Sequence, residues 1–332
     1  MRPRRRARTL GPVGLVLAVL VYGGGHTFAD FRSQANNAGN RVQAAPDFVA
    51  PTVQDSVIAK TAGGSEGYVR QAGLYHVYAN VSDTGNPPSG IALVTADVSN
   101  VTAGLVAAPL VAGSYSVGGT SYSHRSGALT AGPALAEGPA SYTVSTLDND
   151  SNGGTEGGFS VVVDNTEPFA SDVQVADGGG TVGQAEAGDT ITYTFSEPVE
   201  PGSIVSGWDG SPTGVVVRLV NGGLLGDDEA LVYDAEDLAL PLGTLDLNRS
   251  DYVGGLLGGE VARFGASGTP STMTMSGSTI TVTLGSHSGQ GALTAGGDAT
   301  AAWTPSALPT DRAGNPSSLA GASETGADDR EF

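Results

Sequence analysis

The sequence contains no cysteine and a single lysine, Lys60. Without cysteine, disulfides, thiolate nucleophiles, cysteine-ligated zinc and iron–sulfur clusters are all excluded. Aromatic residues make up only 6% of the chain, and charged residues only 15%. Basic charge is scarcer still beyond the first ten residues, where Arg2, Arg4, Arg5, Arg6 and Arg8 sit without one acidic neighbour. Nucleic-acid binding needs a basic face to displace counterions from phosphate, and no such face can be assembled here. After the first 29 residues there is no sustained helical periodicity.

What is present is glycine, at 51 of 332 residues, and acid, with a net charge of −19. The 332 residues suffice for two units of ordinary size, each with its own core. Short alternating runs of Val, Thr, Ile and Tyr, separated by Gly-rich turns, are the period-two pattern of half-buried strands. An antiparallel all-β fold follows, in preference to a parallel α/β one.

The five arginines precede an apolar run from Leu10 to Tyr22, which Gly23, Gly24 and Gly25 terminate. That run has the length of a signal-peptide core and falls short of a comfortable membrane span. Thr27-Phe28-Ala29 offers small residues where a signal peptidase reads, so cleavage is expected after Ala29. Residues 1–29 are thus a signal peptide, or an N-terminal anchor if left uncut, and that segment is the sole expected membrane contact. Removal of its arginines would take the net charge to about −24.

Residues 30–50 read as a polar linker, 51–166 as a first domain, 167–316 as a second and 317–332 as a disordered acidic tail. In the first domain, strands are expected at Leu74–Val81, with Tyr75, Val77, Ala79 and Val81 on one face, and at Ile91–Val98. Tyr142–Thr146 and Phe159–Val163 should form a closing hairpin around a loop from Asp148 to Gly158. In the second, Asp189–Phe195 alternates cleanly, and Val215–Val220 has the continuous apolar character of a central strand. Thr272–Met275 and Thr279–Leu284 flank Ser276-Gly277-Ser278, a hairpin signal. Asp298–Trp303 is expected as a late strand.

Asp148, Asp150, Asn152 and Gly153 fit the first half of a D-x-[DN]-x-[DN]-G calcium loop, with Glu156 at its ninth position. Position twelve is Phe159 in place of a bidentate glutamate. The alternatives are a weak Ca²⁺ site at Asp148, Asp150, Asn152 and Glu156 and a solvated Asx-rich turn. Gly63-Gly64-Ser65-Glu66-Gly67 matches G-x-S-x-G, but a strand follows where a nucleophile elbow needs a helix. Gly178, Gly180 and Gly183 match G-x-G-x-x-G without a following helix to bind phosphate. His76, His124 and His287 lack zinc-ligand spacing. The acidic run Asp227-Asp228-Glu229 reads as a solvated loop, and Trp208 and Trp303 as core or rim residues.

Two resemblances sharpen this. Phe28-Ala29-Asp30-Phe31 with Ala38-Gly39-Asn40 resembles the cut site of SipW-type signal peptides, found on camelysin-like and biofilm-matrix fibre proteins. The rest of the chain does not look like those proteins. Val161-Val162-Val163-Asp164-Asn165-Thr166-Glu167-Pro168 resembles the V-D-N-T-x-P exit strand of bacterial Ig-like repeats. The run from Ala187 to Val199 resembles their G-D-T-I-x-x-x-F-S-E-P opening, and Asp311-Arg312-Ala313-Gly314-Asn315 their D-x-A-G-N turn. In the first domain, Asp148 to Gly153 stands where that turn is expected. The resemblance implies two tandem immunoglobulin-like antiparallel β-sandwiches in an extracellular stalk or adhesin. The expected function is a non-enzymatic, exported, cell-surface structural or adhesive protein with a surface protein or polysaccharide as partner. A calcium-dependent binding module for carbohydrate or cell-wall polymer is the alternative, and a hydrolase a third.

Overall fold

The computed structural model describes residues 46–332 apart from residue 256. The expected signal segment and most of the linker lie outside the described residues. The described chain is all-β, with two sheets and one four-residue helical turn. No helix among the described residues is long and apolar enough to cross a membrane.

The first sheet holds β1 (Thr52–Lys60), β2 (Tyr68–Val69), β3 (Leu74–Ser82), β4 (Ile91–Asp97), β5 (Ala108–Val117), β6 (Thr120–Ser126), β7 (Leu129–Thr130), β8 (Gly138–Asp148) and β9 (Gly153–Val163). The second holds β10 (Ala170–Ala176), β11 (Thr190–Phe195), then α1 (Pro201–Ile204), β12 (Thr213–Val220), β13 (Glu229–Tyr233), β14 (Thr244–Asp246) and β15 (Val261–Phe264). It is completed by β16 (Ser271–Ser276), β17 (Thr279–Thr283), β18 (His287–Gly289), β19 (Ala302–Thr304) and β20 (Ala322–Ser323).

In the first sheet the main path runs β1-β3-β6-β5-β4-β8-β9-β2. Its pairings are antiparallel except β2 with β9. β5 serves both halves, pairing β4 through Ala108 and Pro109 and β6 through Leu110 onward. A bulge between Ala112 and Tyr115 bends it, and the sheet curls until β1 lies against β8 and β9. Alternation fills the interior. Tyr75, Val77, Ala79 and Val81 of β3 meet Val94, Ala96, Val144, Val161 and Val163 in one buried cluster. On the opposite face of β3, Tyr78 is covered by Tyr115 and Tyr122, which forms a small second cluster.

In the second sheet the main path is β10-β11-β17-β16-β12-β13-β14-β19-β20. The expected central strand is β12. Thr213–Val215 pairs with β16, while Val217–Val220 lies between β13 and β15. The expected hairpin forms as β16–β17, with Ser276 facing Thr279. Trp303 is the largest buried side chain, packed edge-on against Tyr193 and Phe195 at ring-centroid distances of 5.0 and 4.9 Å. The clusters do not mix: those of the first sheet draw on residues 53–163, that of the second on residues 170–332.

Two segments depart from expectation. The β8–β9 connection is four residues, 149–152, where a loop running to Gly158 was expected. Backbone pairing carries the ladder through Gly153, Gly154, Thr155 and Glu156, although their side chains do not alternate in polarity. The segment 317–332 is packed where a disordered tail was expected. Its composition is polar, but Ser317 is buried, β20 pairs with β19, and Phe332 is fully buried against Tyr252. A single aromatic anchor outweighs the average polarity of such a segment.

Candidate functional site: two matching carboxylate triads and a junction

Asp148 ends β8, and its buried carboxylate accepts from both donors of Asn152, the amide at 2.7 Å and Nδ2 at 2.7 Å. Asn152 Nδ2 also donates to the Asp47 carbonyl at 2.8 Å. Asp150 is exposed, and its Oδ2 accepts from the Asp47 amide at 2.8 Å. Glu156 lies exposed on β9 opposite Val144, away from the loop. Of the four expected calcium ligands, then, Asp148 and Asn152 are joined, Asp150 holds the entering chain, and Glu156 is apart.

Asp148 instead meets Asp47 and Asp83. One carboxylate oxygen from each lies within 4.8 Å of the others. Asp47 follows residue 46 as the chain enters and accepts from the Val49 and Ser89 amides. Asp83 follows β3 and accepts from the Gly85 and Gly90 amides. The Ser89 hydroxyl is buried beside Asp148. Against the upward push of burial, the Asn152 donors hold Asp148 below the usual carboxylate range.

The same construction recurs between the two sheets. Asp311 accepts from the Asn315 amide and Nδ2, each at 2.7 Å, and Asn315 Nδ2 donates onward to the Asp164 carbonyl at 2.9 Å. Asp164 Oδ1 accepts from the Thr166 amide as Asp47 Oδ1 does from Val49. Glu197, just past β11, takes the place that Asp83 takes past β3. Asp164, Glu197 and Asp311 again bring carboxylate oxygens within 4.8 Å of one another. Glu197 Oε1 is buried without a partner. Burial, then the charges of Asp164 and Asp311, push Glu197 up to about 7. The three acids come from the V-D-N-T-x-P, F-S-E-P and D-x-A-G-N stretches, which only the fold brings together.

Sequence reading missed Asp47 and Asp83. The available signal was spacing: Asp47 precedes Pro51 as Asp164 precedes Pro168, and Asp148 precedes Asn152 as Asp311 precedes Asn315. In both copies the carbonyl of the proline is bound by a hydroxyl, Thr146 Oγ1 on Pro51 and Ser317 Oγ on Pro168. An all-oxygen set of this kind has the donor chemistry of a hard divalent cation.

Beside the second triad the sheets touch directly. Glu200 accepts from Lys60 Nζ at 3.1 Å and from the Ser65 amide at 2.7 Å, and Lys60 also donates to the Arg312 carbonyl at 2.7 Å. Lys60 and Glu200 are about 10% exposed at the side chain. Against burial, the Ser65 amide and the Lys60 ammonium hold Glu200 below the usual carboxylate range. The G-x-S-x-G stretch is therefore the loop that receives Glu200. A cleft of about 390 Å³ opens alongside, lined in part by Ser65, Glu200, Trp208 and Arg312.

The remaining candidates sit in structural roles. The Trp303 and Trp208 indoles donate to the Leu242 and Ser211 carbonyls, and both rings are buried. Asp228 is fully buried and accepts from the Gly222, Tyr252 and Val253 amides, stapling loops of the second sheet. Ser123 Oγ lies 2.9 Å from His124 Nδ1 and also accepts from the Val81 amide. Gly179 and Gly180 of the G-x-G-x-x-G stretch donate to Asp177, and no helix follows them. Compared with family models, curated proteins and solved structures, the chain shows no match.

Proposed function

We propose that the chain is an exported, non-enzymatic cell-surface protein, built of two tandem immunoglobulin-like sandwiches and serving as a spacer or adhesive element. The observation that carries this reading is the repeated triad with its aspartate–asparagine clasp. One copy sits where the chain enters the first sheet and one between the two sheets, so this polar construction is spent on holding units in series. Sparse basic charge and a strongly acidic surface suit a solvated extracellular position. The test is a producing cell with the gene deleted. It should lose attachment to surfaces or neighbouring cells, with immunogold label on the wild-type exterior. Loss of a hydrolytic activity with attachment intact would sink the reading.

The triads favour a second reading, calcium-dependent binding of a carbohydrate or cell-wall polymer. Co-sedimentation of the protein with purified cell walls, with calcium and with chelator, decides it. Equal sedimentation in both would discard calcium dependence.

A further inference from the structure

A third group of acids lies at the far edge of the second sheet. Glu324 follows β20, its amide donating to the Ala301 carbonyl at 2.9 Å and its Oε1 accepting from the Val175 amide at 3.3 Å. Asp329 is bound to Ala299 through two backbone hydrogen bonds, of 2.7 and 3.2 Å. Glu331 donates its amide to the Tyr252 hydroxyl at 3.0 Å, and its side chain is fully buried. Both Glu331 carboxylate oxygens are buried and have no hydrogen-bond partner. One oxygen from each of the three acids lies within 4.8 Å of the others. Among the described residues no ion pair reaches any of them, and the neighbouring Arg330 faces Asp298.

A fully buried carboxylate with no well-formed hydrogen bond is among the costliest groups a fold can hold. It must take up either a proton or a cation. Oxygens no more than 4.8 Å apart lie within about 2.8 Å of a common centre, close to the 2.3–2.6 Å of calcium–oxygen bonds. The set grades from buried Glu331 through half-buried Glu324 to exposed Asp329, so an ion can enter from the Asp329 side. We propose that Glu324, Asp329 and Glu331 form a binding site for a hard divalent cation of the calcium type, which clamps residues 324–331 to the edge of the second sheet. The site shares no residue with the junction and does not rest on the surface role proposed above.

Burial, followed by the adjacent Glu324 carboxylate, pushes Glu331 well above the usual carboxylate range.

The test is calcium titration of the chelator-treated full chain by calorimetry at pH 7.5, on wild type, Glu331→Gln and Asp329→Asn. Gln keeps the volume and removes the charge. The expected result is one fewer calcium ion bound by Glu331→Gln, and at least tenfold weaker binding at that site in Asp329→Asn. Ions held by the two triads would be counted equally in all three proteins, so the difference reads this site alone. Equal calcium stoichiometry in wild type and Glu331→Gln would overturn the proposal. If Glu331→Gln does not fold by circular dichroism, the exposed Asp329→Asn decides it, and unchanged affinity there overturns it as well.

Discussion

Asp148 and Asn152 were legible as a pair because one short loop carries both, and their spacing matched a known oxygen-ligand pattern. Asp47 and Asp83 were not, since they reach the same point from 101 and 65 residues away. The clasp makes a residue-level prediction. Asn315→Ala strips the Nδ2 donor from the buried Asp311 and from the Asp164 carbonyl. The backbone amide stays, so the loss is the Nδ2 bonds, and urea denaturation should show destabilisation of about 1–3 kcal/mol. Asn152→Ala should cost a similar amount, because its hydrogen bonds are the same set. A near-zero effect at both would mean the clasps are solvated turns. Glu197 makes a second prediction. Its folded value near 7 lies above the unfolded carboxylate value, so between the two the folded state binds more protons. Its contribution is fully present below the unfolded value and is lost as pH rises through about 7. Melting temperature should therefore fall from pH 5 to pH 8, and Glu197→Gln should flatten that slope. A divalent cation at the triad would flatten it too, by replacing the proton as counter-charge. A wild-type melting temperature that rises over this range, parallel to the variant's, would contradict the assignment.

Strand interiors were the most readable feature of the sequence, and strand ends the least. β3 and β11 lie where alternation placed them, because alternation reports directly which side chains face a core; β12 lies over the continuous apolar run, and the β16–β17 hairpin closes at its Ser-Gly-Ser turn. β9 begins earlier than expected because backbone pairing with β8 needs no side-chain pattern, and this moved Glu156 out of the loop. Glycines separate the two kinds of turn. Gly277 has φ +60° in the β16–β17 hairpin with open space where a Cβ would stand. Gly277→Ala should then cost only the left-handed backbone term, about 1–2 kcal/mol. Gly243 has φ +89° just before β14, and a Cβ there would run into the Thr304 carbonyl and the Pro305 backbone. Neither neighbour can swing away, so Gly243→Ala should separate β14 from β19 and cost more than Gly277→Ala. Comparative thermal melts check the order. The reverse ranking would show that the β14–β19 approach is looser than the fold describes.

At the scale of the whole molecule, the chain places its only lysine at the contact between the sheets. Lys60 ends β1, the first strand of one unit, while Glu200 precedes α1 in the other, 140 residues later. Neither residue belongs to a motif, so the contact could not be read from sequence, even though the acids beside it fall within recognisable stretches. An ion pair this deeply buried contributes little against apolar packing, but removing one partner strands the other in low dielectric. Glu200→Gln should therefore loosen the junction more than it unfolds either unit, since each core cluster lies wholly within its own sheet. The single lysine offers a direct readout. In the wild type its Nζ is held by Glu200 and by the Arg312 carbonyl at about 10% side-chain exposure, so it should react slowly with an amine-acylating reagent at pH 8. Glu200→Gln removes the ion pair that holds Nζ in place. Acylation of Lys60, followed by peptide mass spectrometry with the α-amino group as internal control, should accelerate by roughly tenfold, the factor that corresponds to about 1.4 kcal/mol. Scattering should show the paired units becoming more extended in the same variant. Equal acylation rates in the two proteins would mean that Lys60 already moves freely and that the sheets are joined by their six-residue connection alone.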